Sequence, residues 1–519
     1  MTASLNGRVG HRIVVALVTA SVLMAACATS KPPTRPSASG SWLYPNGDLA
    51  NTRNAPGATI SSANVSKLKQ AWTFNLPGAA PCEQLCGVQG YGFLAANPIV
   101  SQGVVYIQDL DSNVYALALA SGNLLWEYEV NAPATSGPGP NGVAVADGSV
   151  YGTTPTAAFA LNAATGHKIW NDTNLLSKGQ GAFGIQPQVA NGRVYLASQY
   201  GSGPGGGILL ALDAATGAEV WTFNTAVGPQ PGVQAFGLGT GGAWETPLVG
   251  SDGSVTYGIG NPYQTVASAI DHPAQLLYSD SEVNLDAATG RLRWYYQAVP
   301  NDFKDYDMQT SPIAANVNGV PVVIGSGKMG VVYEMNAQSG KLLWKTPVGA
   351  HNGHDDESLQ ALEGKSAVTV PFTFLPGSLG GVLTNLALAG STIYVVTCDL
   401  PTTYTSVDQV SPSVASTTTP ACEVEALNLA TGTVEWDTKV ADLAFGAATV
   451  SNDLVFTVLY KGVLIALNRT TGAIVYRQQL PTSANAPIAI AGNTVIVPAG
   501  GPTTKNGGGD PQVVAYTAP

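Results

Sequence analysis

The sequence predicts an all-β protein built as an eight-bladed β-propeller, and three observations lead to this prediction. The 519-residue chain contains 60 glycines and 34 prolines, and its apolar segments are short and rich in Val, Thr and Tyr, as in strands joined by tight turns. A strand-and-turn unit recurs seven times along the chain. Parts of an eighth unit lie near the two ends of the chain.

The repeated unit consists of an alternating strand, a Ser-Gly or Thr-Gly turn, and an aromatic residue four positions after the Gly. The Gly supplies the positive φ of the turn, and the aromatic ring fills the gap against the neighbouring sheet. Four-stranded repeats of roughly 40 to 50 residues are typical of a propeller, and a β-helix or stacked sandwiches would fit the turn spacing less well. The seven copies end at Trp126, Trp170, Trp221, Trp294, Trp344, Trp436 and Tyr476.

The eighth unit is divided between the chain ends. SKLKQAW, which ends at Trp72, resembles the last strand of a unit whose first half is missing. NTVIVPAG (residues 493–500) and QVVAYTA (residues 512–518) can supply the missing strands. A blade shared by both ends would close the ring and remove an open sheet edge, so we expect one propeller domain over residues 42–519.

The N-terminus has the features of an export signal. Arg8 and Arg12 precede an apolar run over residues 13–26 that is too short to predict a membrane span. The run ends in LMAAC, which resembles a bacterial lipobox and predicts a signal peptide over residues 1–26 and a lipidated Cys27. An ordinary signal peptide cleaved nearby is the alternative. Residues 27–41 are predicted to be a flexible linker, so we expect a cell-envelope protein that contacts the membrane only through its lipid.

Export implies an oxidising compartment, in which the four remaining cysteines are expected to form disulfides. Proximity favours the pairs Cys82–Cys86 and Cys398–Cys422, although three connectivities are possible and Cys82 and Cys86 could instead form a metal or redox pair. The formal net charge of −11 argues against nucleic acid as a partner, because phosphate binding requires a basic face.

One acidic stretch, PNDFKDYDM at residues 300–308, stands out in a chain with only 11% charged residues. It follows the long interval between the turn glycines Gly217 and Gly290, and long insertions in a propeller form loops on its faces, where ligands bind. Asp305 and Asp307 are two positions apart, so an extended chain would point both to the same side. Asp302 alone is more typical of a turn.

The repeat A-L-[DN]-x-x-[ST]-G-x-x-x-W resembles the tryptophan-docking motif of quinoprotein alcohol dehydrogenases, which bind pyrroloquinoline quinone (PQQ) on the axis of an eight-bladed propeller. Nearly the whole mature chain takes part in the resemblance. It implies oxidation of an alcohol or a hydroxylated polymer, with electrons passed to an external acceptor. The segments that carry it, in chain order, are residues 43–56, 241–262, 295–308, 325–340 and 376–388.

The same resemblance implies roles for five residues. Asp305 would be the general base that takes the hydroxyl proton, and Lys328 would donate to the quinone oxygens. Asn261, in a Gly-Asn-Pro, would bind a metal ion together with Asp305. Asp307 falls where lanthanide-using members carry an extra carboxylate, so the ion would be Ca²⁺ or a lanthanide. Trp244 would provide the flat surface on which the quinone stacks.

The chain also departs from the family pattern. Ser202 occupies the position of a metal-binding Glu, and Ala95 that of an acidic residue in the first blade. Residues 137–148 contain no counterpart of the adjacent cysteine pair or of the Arg that grips the cofactor in many members. These departures favour an alternative, a non-catalytic propeller lipoprotein that binds protein partners at the cell envelope. A hydrolase or lyase on the same scaffold is a further alternative.

Overall fold

Eight four-stranded antiparallel sheets make up the fold, which confirms the predicted eight-bladed β-propeller. The structure is a computed structural model, and it describes residues 40–77, 93–132, 142–177, 180–201, 206–225, 240–274, 276–365, 368–410, 421–500 and 510–519. The first strands of blades 1 to 4 are neighbours in turn, as are those of blades 8 and 1 and of blades 6 and 7, so the first strands line the axis and the fourth strands form the outer edge.

Blades 1 to 4 follow one another along the chain, each from its inner to its outer strand. Their bounds are Ile99–Ser101, Val104–Gln108, Val114–Ala118 and Leu124–Tyr128 in blade 1; Ala144–Ala146, Ser149–Thr153, Ala158–Asn162 and Lys168–Asp172 in blade 2; Gln188–Ala190, Arg193–Ala197, Ile208–Asp213 and Glu219–Asn224 in blade 3; Leu248–Val249, Ser254–Ile259, Ser281–Asp286 and Leu292–Gln297 in blade 4.

Blades 5 to 7 continue in the same way, and blade 8 takes its outer strand from the N-terminal part of the chain. Their bounds are Ile313–Val317, Val320–Ser326, Val331–Asn336 and Leu342–Pro347 in blade 5; Ala387–Ala389, Thr392–Asp399, Ala421–Asn428 and Val434–Val440 in blade 6; Thr449–Ser451, Leu454–Leu459, Val463–Asn468 and Ile474–Gln479 in blade 7; Ala489–Ala491, Thr494–Ala499, Gln512–Thr517 and Lys69–Asn75 in blade 8.

The ring closes through blade 8, as the sequence predicts. Lys69–Asn75 pairs antiparallel with Gln512–Thr517, in a register that sets Lys69 opposite Thr517 and Asn75 opposite Gln512. The two ends of the chain therefore share a sheet, and the ring is held shut by backbone hydrogen bonds.

A few small elements lie outside the blades. They are the helices Val266–Asp271 and Glu357–Leu362, the 3₁₀ turn Val65–Lys67, and two short hairpin-like pairs, Tyr200–Gly201 with Thr240–Gly241 and Phe372–Phe374 with Thr402–Tyr404. Within the described ranges, no helix is long and apolar enough to cross a membrane.

Each blade docks on the next through the repeated Trp and Gly. Trp126 of blade 1, for example, lies against Gly166 in the turn of blade 2 and donates its indole N–H to Ala163 O at 2.9 Å. A Cβ on any of the turn glycines would come within 2.5 to 2.7 Å of the docked ring, so only Gly fits. The docked pairs are Trp72–Gly122, Trp126–Gly166, Trp170–Gly217, Trp221–Gly290, Trp294–Gly340, Trp344–Gly432 and Trp436–Gly472.

Blade 7 ends in Tyr476 in place of Trp, and the topology explains the exception. Tyr476 packs against the apolar cluster that contains Tyr516 of blade 8. In blade 8, the last two strands come from opposite ends of the chain. No hairpin turn joins these two strands, so there is no turn Gly on which a Trp could dock.

A buried Arg connects the N-terminal segment to three blades. Arg53 is 0% exposed. Its guanidinium donates to Ala448 O of blade 7 at 2.7 Å, to Asn97 Oδ1 of blade 1 at 2.5 Å, and to Ile488 O of blade 8 at 2.9 Å. Each of these acceptors lies just before the inner strand of its blade, so the guanidinium lies close to the axis.

Amide side chains extend this network to the other blades. Asn46 donates to Ser311 Oγ of blade 5 at 2.9 Å. Asn385 of blade 6 donates to Asn46 Oδ1 at 3.1 Å and to Glu245 Oε2 of blade 4 at 3.1 Å. Gln186 of blade 3 donates to Val143 O of blade 2 at 2.8 Å. We call the set that joins all eight blades the axial polar network, in which Glu245 is half-buried and the other residues are buried: Asn46, Arg53, Asn97, Gln186, Glu245, Ser311 and Asn385.

The predicted disulfide between Cys398 and Cys422 is present. It joins the second and third strands of blade 6, where the two residues are directly opposite in the antiparallel register. Cys27, Cys82 and Cys86 lie outside the described residues, so the lipidation site and the second predicted disulfide remain predictions from the sequence.

Candidate active site

The antiparallel order of the strands brings the predicted site residues to one end of the propeller. Neighbouring strands of a blade run in opposite directions. The starts of the first and third strands therefore lie at the same end of the blade as the ends of the second and fourth strands. Trp244 precedes the first strand of blade 4, Asn261 follows its second strand, and residues 300–308 follow its fourth. Lys328 follows the second strand of blade 5. Residues far apart in the sequence therefore gather at this end.

The stretch 300–308 is held from outside by the insertions. Asn301 donates to Ala269 O, in the helix Val266–Asp271, at 3.0 Å. Tyr306 donates its hydroxyl to Pro376 O at 2.9 Å, and the hydroxyl of Tyr404 donates to Phe303 O. These contacts fix both the backbone and the side chains of the stretch, so its carboxylates are held in defined positions.

Asp302 has the role expected of a turn residue. Its two carboxylate oxygens accept the backbone N–H groups of Lys304 and Tyr306, each at 2.9 Å. Asp302 is fully buried, and the two N–H groups stabilise its charge against the cost of burial. It shapes the backbone that presents Asp305.

Lys304 is a buried cation that sequence reasoning missed. Its ammonium group donates to Glu357 Oε2 at 2.6 Å and to the carbonyl oxygen of His354. The rings of Phe303, Tyr306 and Phe374 lie 5.2 to 5.9 Å from the ammonium nitrogen, within the range of a cation–π interaction. Lys304 thus ties the acidic stretch to the helix Glu357–Leu362, and no local pattern indicates a partner so distant in the chain.

Asp305 and Asp307 meet at a single ammonium group. Lys328 Nζ lies 3.0 Å from Asp305 Oδ2 and 2.6 Å from Asp307 Oδ2. The prediction that the two carboxylates point to the same side is therefore confirmed. Asp305 adopts a positive φ of 66°. Residues other than Gly rarely adopt this backbone conformation unless the surrounding structure imposes it.

Asp305, Asp307 and Lys328 form a buried triad, in which burial and the neighbouring charges shift pKa values in different directions. Burial raises the pKa of Asp305, the Lys328 ammonium group lowers it, and the neighbouring Asp307 raises it again, so the pKa of Asp305 lies above its usual value. Burial disfavours the charged form of Lys328, but the two carboxylates outweigh this effect and hold its pKa above its usual value. Lys328 is thus a permanent cation, and Asp305 is the carboxylate whose proton affinity is increased.

Asn261 and Trp244 lie beside Asp307. The backbone N–H of Asn261 donates to Asp307 Oδ1 at 2.8 Å. A Cβ on Gly260 would collide with Asp307 Oδ1 and with Trp244 Nε1, so Gly260 allows the carboxylate and the indole to approach each other. The five predicted site residues therefore form one group: Trp244, Asn261, Asp305, Asp307 and Lys328.

Two polar atoms of this group, Asn261 Oδ1 and Trp244 Nε1, are buried with neither a hydrogen bond nor an ion pair. An unpartnered amide oxygen beside two carboxylates is a set of hard donors that suits Ca²⁺ or a lanthanide. The half-buried indole with its free N–H, next to the Lys328 ammonium, suits a flat anionic molecule. The residues fit both groups that the family resemblance implies.

Two positions at which the chain departs from the family pattern are Ala95 and Ser202. Ala95 is half-buried in the loop before blade 1. Ser202 lies outside the described residues, as do residues 137–141. In the described part of the chain, no set of three or more His, Cys, Asp or Glu side chains is arranged to hold a metal ion, so a cation here requires the amide oxygen of Asn261.

The family described as "Glucose/ethanol/alcohol dehydrogenase, beta-propeller domain" matches residues 42–144 and 185–351. These residues are just over half of the chain and include the whole group around Lys328. A second family, described as "Outer membrane protein assembly factor BamB", matches residues 111–240 and 421–518.

Curated relatives agree with the first match. The chain is 27% identical over 410 residues to quinohemoprotein alcohol dehydrogenase ADH IIB of Pseudomonas putida. The alignment covers 66% of this chain and 57% of that protein. It is 28% identical over 351 residues to quinohemoprotein alcohol dehydrogenase of Comamonas testosteroni, in an alignment that covers 60% of this chain and 48% of that protein. The chain thus spans about half the length of the curated relatives it matches.

Solved structures share the fold. Quinohemoprotein alcohol dehydrogenase from Comamonas testosteroni superposes with a TM-score of 0.76 at 21% identity, covering 93% of this chain and 81% of that one. A europium-containing methanol dehydrogenase gives 0.73 at 19% identity, covering 92% and 98%. BamB from Moraxella catarrhalis gives 0.52 at 14% identity, covering 87% and 97%.

Proposed function

The chain belongs to the glucose, ethanol and alcohol dehydrogenase β-propeller family, and from this premise we propose that it is a PQQ-dependent dehydrogenase of an alcohol or a hydroxylated polymer. The observation that carries the proposal is the buried triad in which Lys328 Nζ contacts Asp305 and Asp307, at 3.0 and 2.6 Å. Asn261 Oδ1 and Trp244 Nε1, both buried and without partners, lie in the same group.

In the proposed site, Asn261, Asp305 and Asp307 hold the cation through oxygen atoms. Trp244 supports the ring system of PQQ, and Lys328 donates to its oxygens. When bound, PQQ supplies the two-electron acceptor that alcohol oxidation requires. The extra carboxylate of Asp307 adds negative charge to the donor set, which favours a trivalent lanthanide over Ca²⁺.

Asp305 is proposed as the general base that accepts the substrate hydroxyl proton. A general base works best when its pKa lies near the working pH, and burial raises the pKa of Asp305 in that direction. Lys328 holds the carboxylate in position at 3.0 Å, and its positive charge keeps Asp305 ionised and ready to accept the proton.

We also propose an exported protein that passes electrons to an external acceptor. The sequence features of residues 1–26 and Cys27 support a signal peptide and lipid anchor, followed by a linker over residues 27–41 and the propeller over residues 42–519.

The test is reconstitution of the purified cofactor-free protein with PQQ and either Ca²⁺ or La³⁺. Cofactor absorbance and dye-linked oxidation of a panel of alcohols are measured. We expect PQQ to bind in the presence of at least one ion, and Asp305→Asn to lower kcat by about 10²-fold or more while the cofactor still binds. Asp252→Asn, which changes an exposed carboxylate on blade 4, serves as the matched control.

Two results would contradict the proposal. Failure of PQQ to bind with either ion would reject the dehydrogenase function. Wild-type turnover in Asp305→Asn would reject this residue as the base, even if the cofactor binds.

A further inference from the structure

His351 lies half-buried near the start of the segment that joins blade 5 to blade 6 (residues 348–386), which we call the blade 5–6 insertion. Its Nδ1 atom lies 2.8 Å from a carboxylate oxygen of Asp355. Its Nε2 atom lies 3.1 Å from Gly330 O and 3.3 Å from Val348 O. Both ring nitrogens therefore face hydrogen-bond acceptors.

Only the doubly protonated ring satisfies the contacts on both sides. A neutral imidazole has one N–H donor and one bare nitrogen, so in either neutral tautomer a lone pair would point at an oxygen atom. Burial disfavours the charged form of His351, but the Asp355 carboxylate and the two carbonyl oxygens outweigh this effect and raise the pKa of His351 above its usual value. Burial also raises the pKa of Asp355, but the His351 ring outweighs burial and holds that pKa below its usual value. The pair is thus an imidazolium and a carboxylate.

Two carboxylates of blade 6 hold the backbone just before His351. Glu425 Oε1 accepts the N–H of Gly349, and Asp399 Oδ1 accepts the N–H of Ala350, each at 2.8 Å. Burial raises the pKa of Glu425, and the positive charge of His351 acts in the opposite direction. Blade 6 therefore fixes the point from which the ring extends and adds negative charge near it.

The other charged groups around this pair have partners of their own. Lys304 and His354 lie close enough to lower the pKa of Asp355, and both contact Glu357, at 2.6 and 2.7 Å. The ammonium group of Lys328, on the loop that His351 contacts, is held by the two carboxylates of the triad. Asp355 is the carboxylate bonded to the ring, so it determines which ring nitrogen keeps a proton.

The contact with Gly330 O bears on the position of Lys328. Both residues lie in the turn between the second and third strands of blade 5. A Cβ on Gly330 would lie 2.8 Å from Pro376 Cγ and 3.2 Å from His351 Nε2, so the insertion encloses Gly330 on two sides. Gly330 O also accepts the N–H of Val348 at 2.8 Å. The loop that carries Lys328 is thus held against the insertion at Gly330.

We propose that His351 is a positioning residue whose protonated ring holds the loop carrying Lys328 against the blade 5–6 insertion. The role of Lys328 towards PQQ rests on the proposed function, whereas the contact at Gly330 does not. When the ring becomes neutral, Nε2 loses its proton, because the Asp355 carboxylate retains the proton on Nδ1. The bare Nε2 then faces Gly330 O and Val348 O, and the loop loosens.

The pH range follows from the raised pKa of His351. A histidine in the unfolded chain ionises near about pH 6.5. The contact is therefore complete below this pH and is lost as the pH rises through the higher pKa of the folded protein. In alkaline solution the loop is held less tightly.

The first measurement is the ring ¹⁵N spectrum of the full-length protein, labelled at histidine and free of PQQ, as a function of pH. His351→Phe identifies the His351 signals by their loss. We expect the His351 ring to titrate above about pH 6.5 and its neutral form to keep the proton on Nδ1. Asp355→Asn keeps an oxygen acceptor but removes the charge, so the midpoint should fall by about one pH unit or more.

Hydrogen exchange followed by mass spectrometry tests the loop itself. In the wild type, protection of peptides covering residues 325–331 and 345–350 should fall by about 10-fold across the His351 midpoint. It should be low at every pH in His351→Phe, and in Asp355→Asn, a change at an exposed residue, the fall should move to lower pH. His167→Gln removes an exposed histidine from the turn of blade 2 and should behave as the wild type.

PQQ affinity is then measured by cofactor absorbance in the presence of Ca²⁺ or La³⁺. Wild-type affinity should weaken by about 3 to 10-fold across the His351 midpoint, because Lys328 is less well positioned. Other buried groups also titrate, so the expected result is that this component is absent in His351→Phe and shifted to lower pH in Asp355→Asn.

Several outcomes would overturn the proposal. They are a His351 ring that titrates at or below about pH 6.5, a neutral form with its proton on Nε2, and loop protection that does not follow the His351 midpoint or changes equally in His167→Gln. Loop protection that follows the midpoint while PQQ affinity does not would reject His351 as a positioning residue for Lys328. A wild-type protein that binds no PQQ with either ion would reject the proposed function, while hydrogen exchange still decides the contact at Gly330.

Discussion

At the scale of single residues, Lys328 decides the electrostatics of the site. Two carboxylates lie within 3.0 Å of its ammonium nitrogen, and all three side chains are almost completely buried. Like charges this close repel strongly in a protein interior unless a cation lies between them. Without bound metal, Lys328 is therefore the counter-charge that the two aspartates share.

Replacing Lys328 with Met should destabilise the metal-free protein. Met has a similar length, so packing is kept, but two buried carboxylates lose their counter-charge, which typically costs about 3 to 5 kcal/mol. The measurement is urea unfolding in the presence of a chelator. Lys341→Met, an exposed Lys in the turn of blade 5, should change stability by less than about 0.5 kcal/mol. Equal stabilities for the two variants would show that the triad does not depend on its cation.

A site residue could be predicted from the sequence when it lies in a short recognisable motif. Asn261, Asp305 and Lys328 are found from short segments that resemble a family, and the structure brings them together. Lys304 was missed because its partner is set by tertiary structure: Glu357 lies in a distant insertion. Lys304 belongs to no recognisable motif.

At the scale of elements, the Trp–Gly contact is the joint between neighbouring blades. The ring of Trp221 lies on Gly290, and its indole N–H donates to Ala287 O of the next blade at 3.0 Å. The sequence predicted these joints because Gly and Trp recur at a fixed spacing. It did not predict the helices Val266–Asp271 and Glu357–Leu362, since six residues are too few for a helical period to be recognised.

The joint between blades 3 and 4 should contribute strongly to stability. Trp221 is 7% exposed, and truncating a buried aromatic side chain costs about 3 to 5 kcal/mol, so Trp221→Ala should unfold at a much lower urea concentration. Val220 precedes it on the same strand but is 37% exposed, and Val220→Ala should have a small effect. A small effect of both substitutions would mean that backbone hydrogen bonds alone hold the ring together.

At the scale of the whole molecule, the axial polar network links the ring to the site. Arg53 is bonded to blades 1, 7 and 8, and Glu245 of blade 4 lies next to Trp244 in the chain. Burial raises the pKa of Glu245 to about 7, although its bond from Asn385 and the charge of Arg53 lower it. The sequence similarity of residues 43–56 to the family does not reveal this network, because its bonds connect residues up to 435 positions apart.

Buried carboxyls should make the cation-free molecule less stable as the pH rises. Burial raises the pKa of Glu425 and of Glu245 to about 7, and that of Asp109 to about 6. In the unfolded chain these groups ionise near their ordinary pKa values of about 4, so between about pH 4.5 and 7 the folded state binds more protons than the unfolded state. Their stabilising contribution is complete below that range and is lost as the pH passes 7.

The carboxylates whose pKa is lowered do not cancel this effect. Asp213 and Asp286, which accept hydrogen bonds from neighbouring threonines, are ionised in both states above about pH 5, so their contribution no longer changes there. We expect the melting temperature of chelator-treated protein to be lower at pH 8 than at pH 5.5, with about 1 to 3 kcal/mol lost per buried carboxyl. In Glu425→Gln, which keeps the acceptor for the Gly349 N–H, the decline should be smaller. A melting temperature that rises between these pH values would mean that the buried carboxyls are ionised in the folded protein.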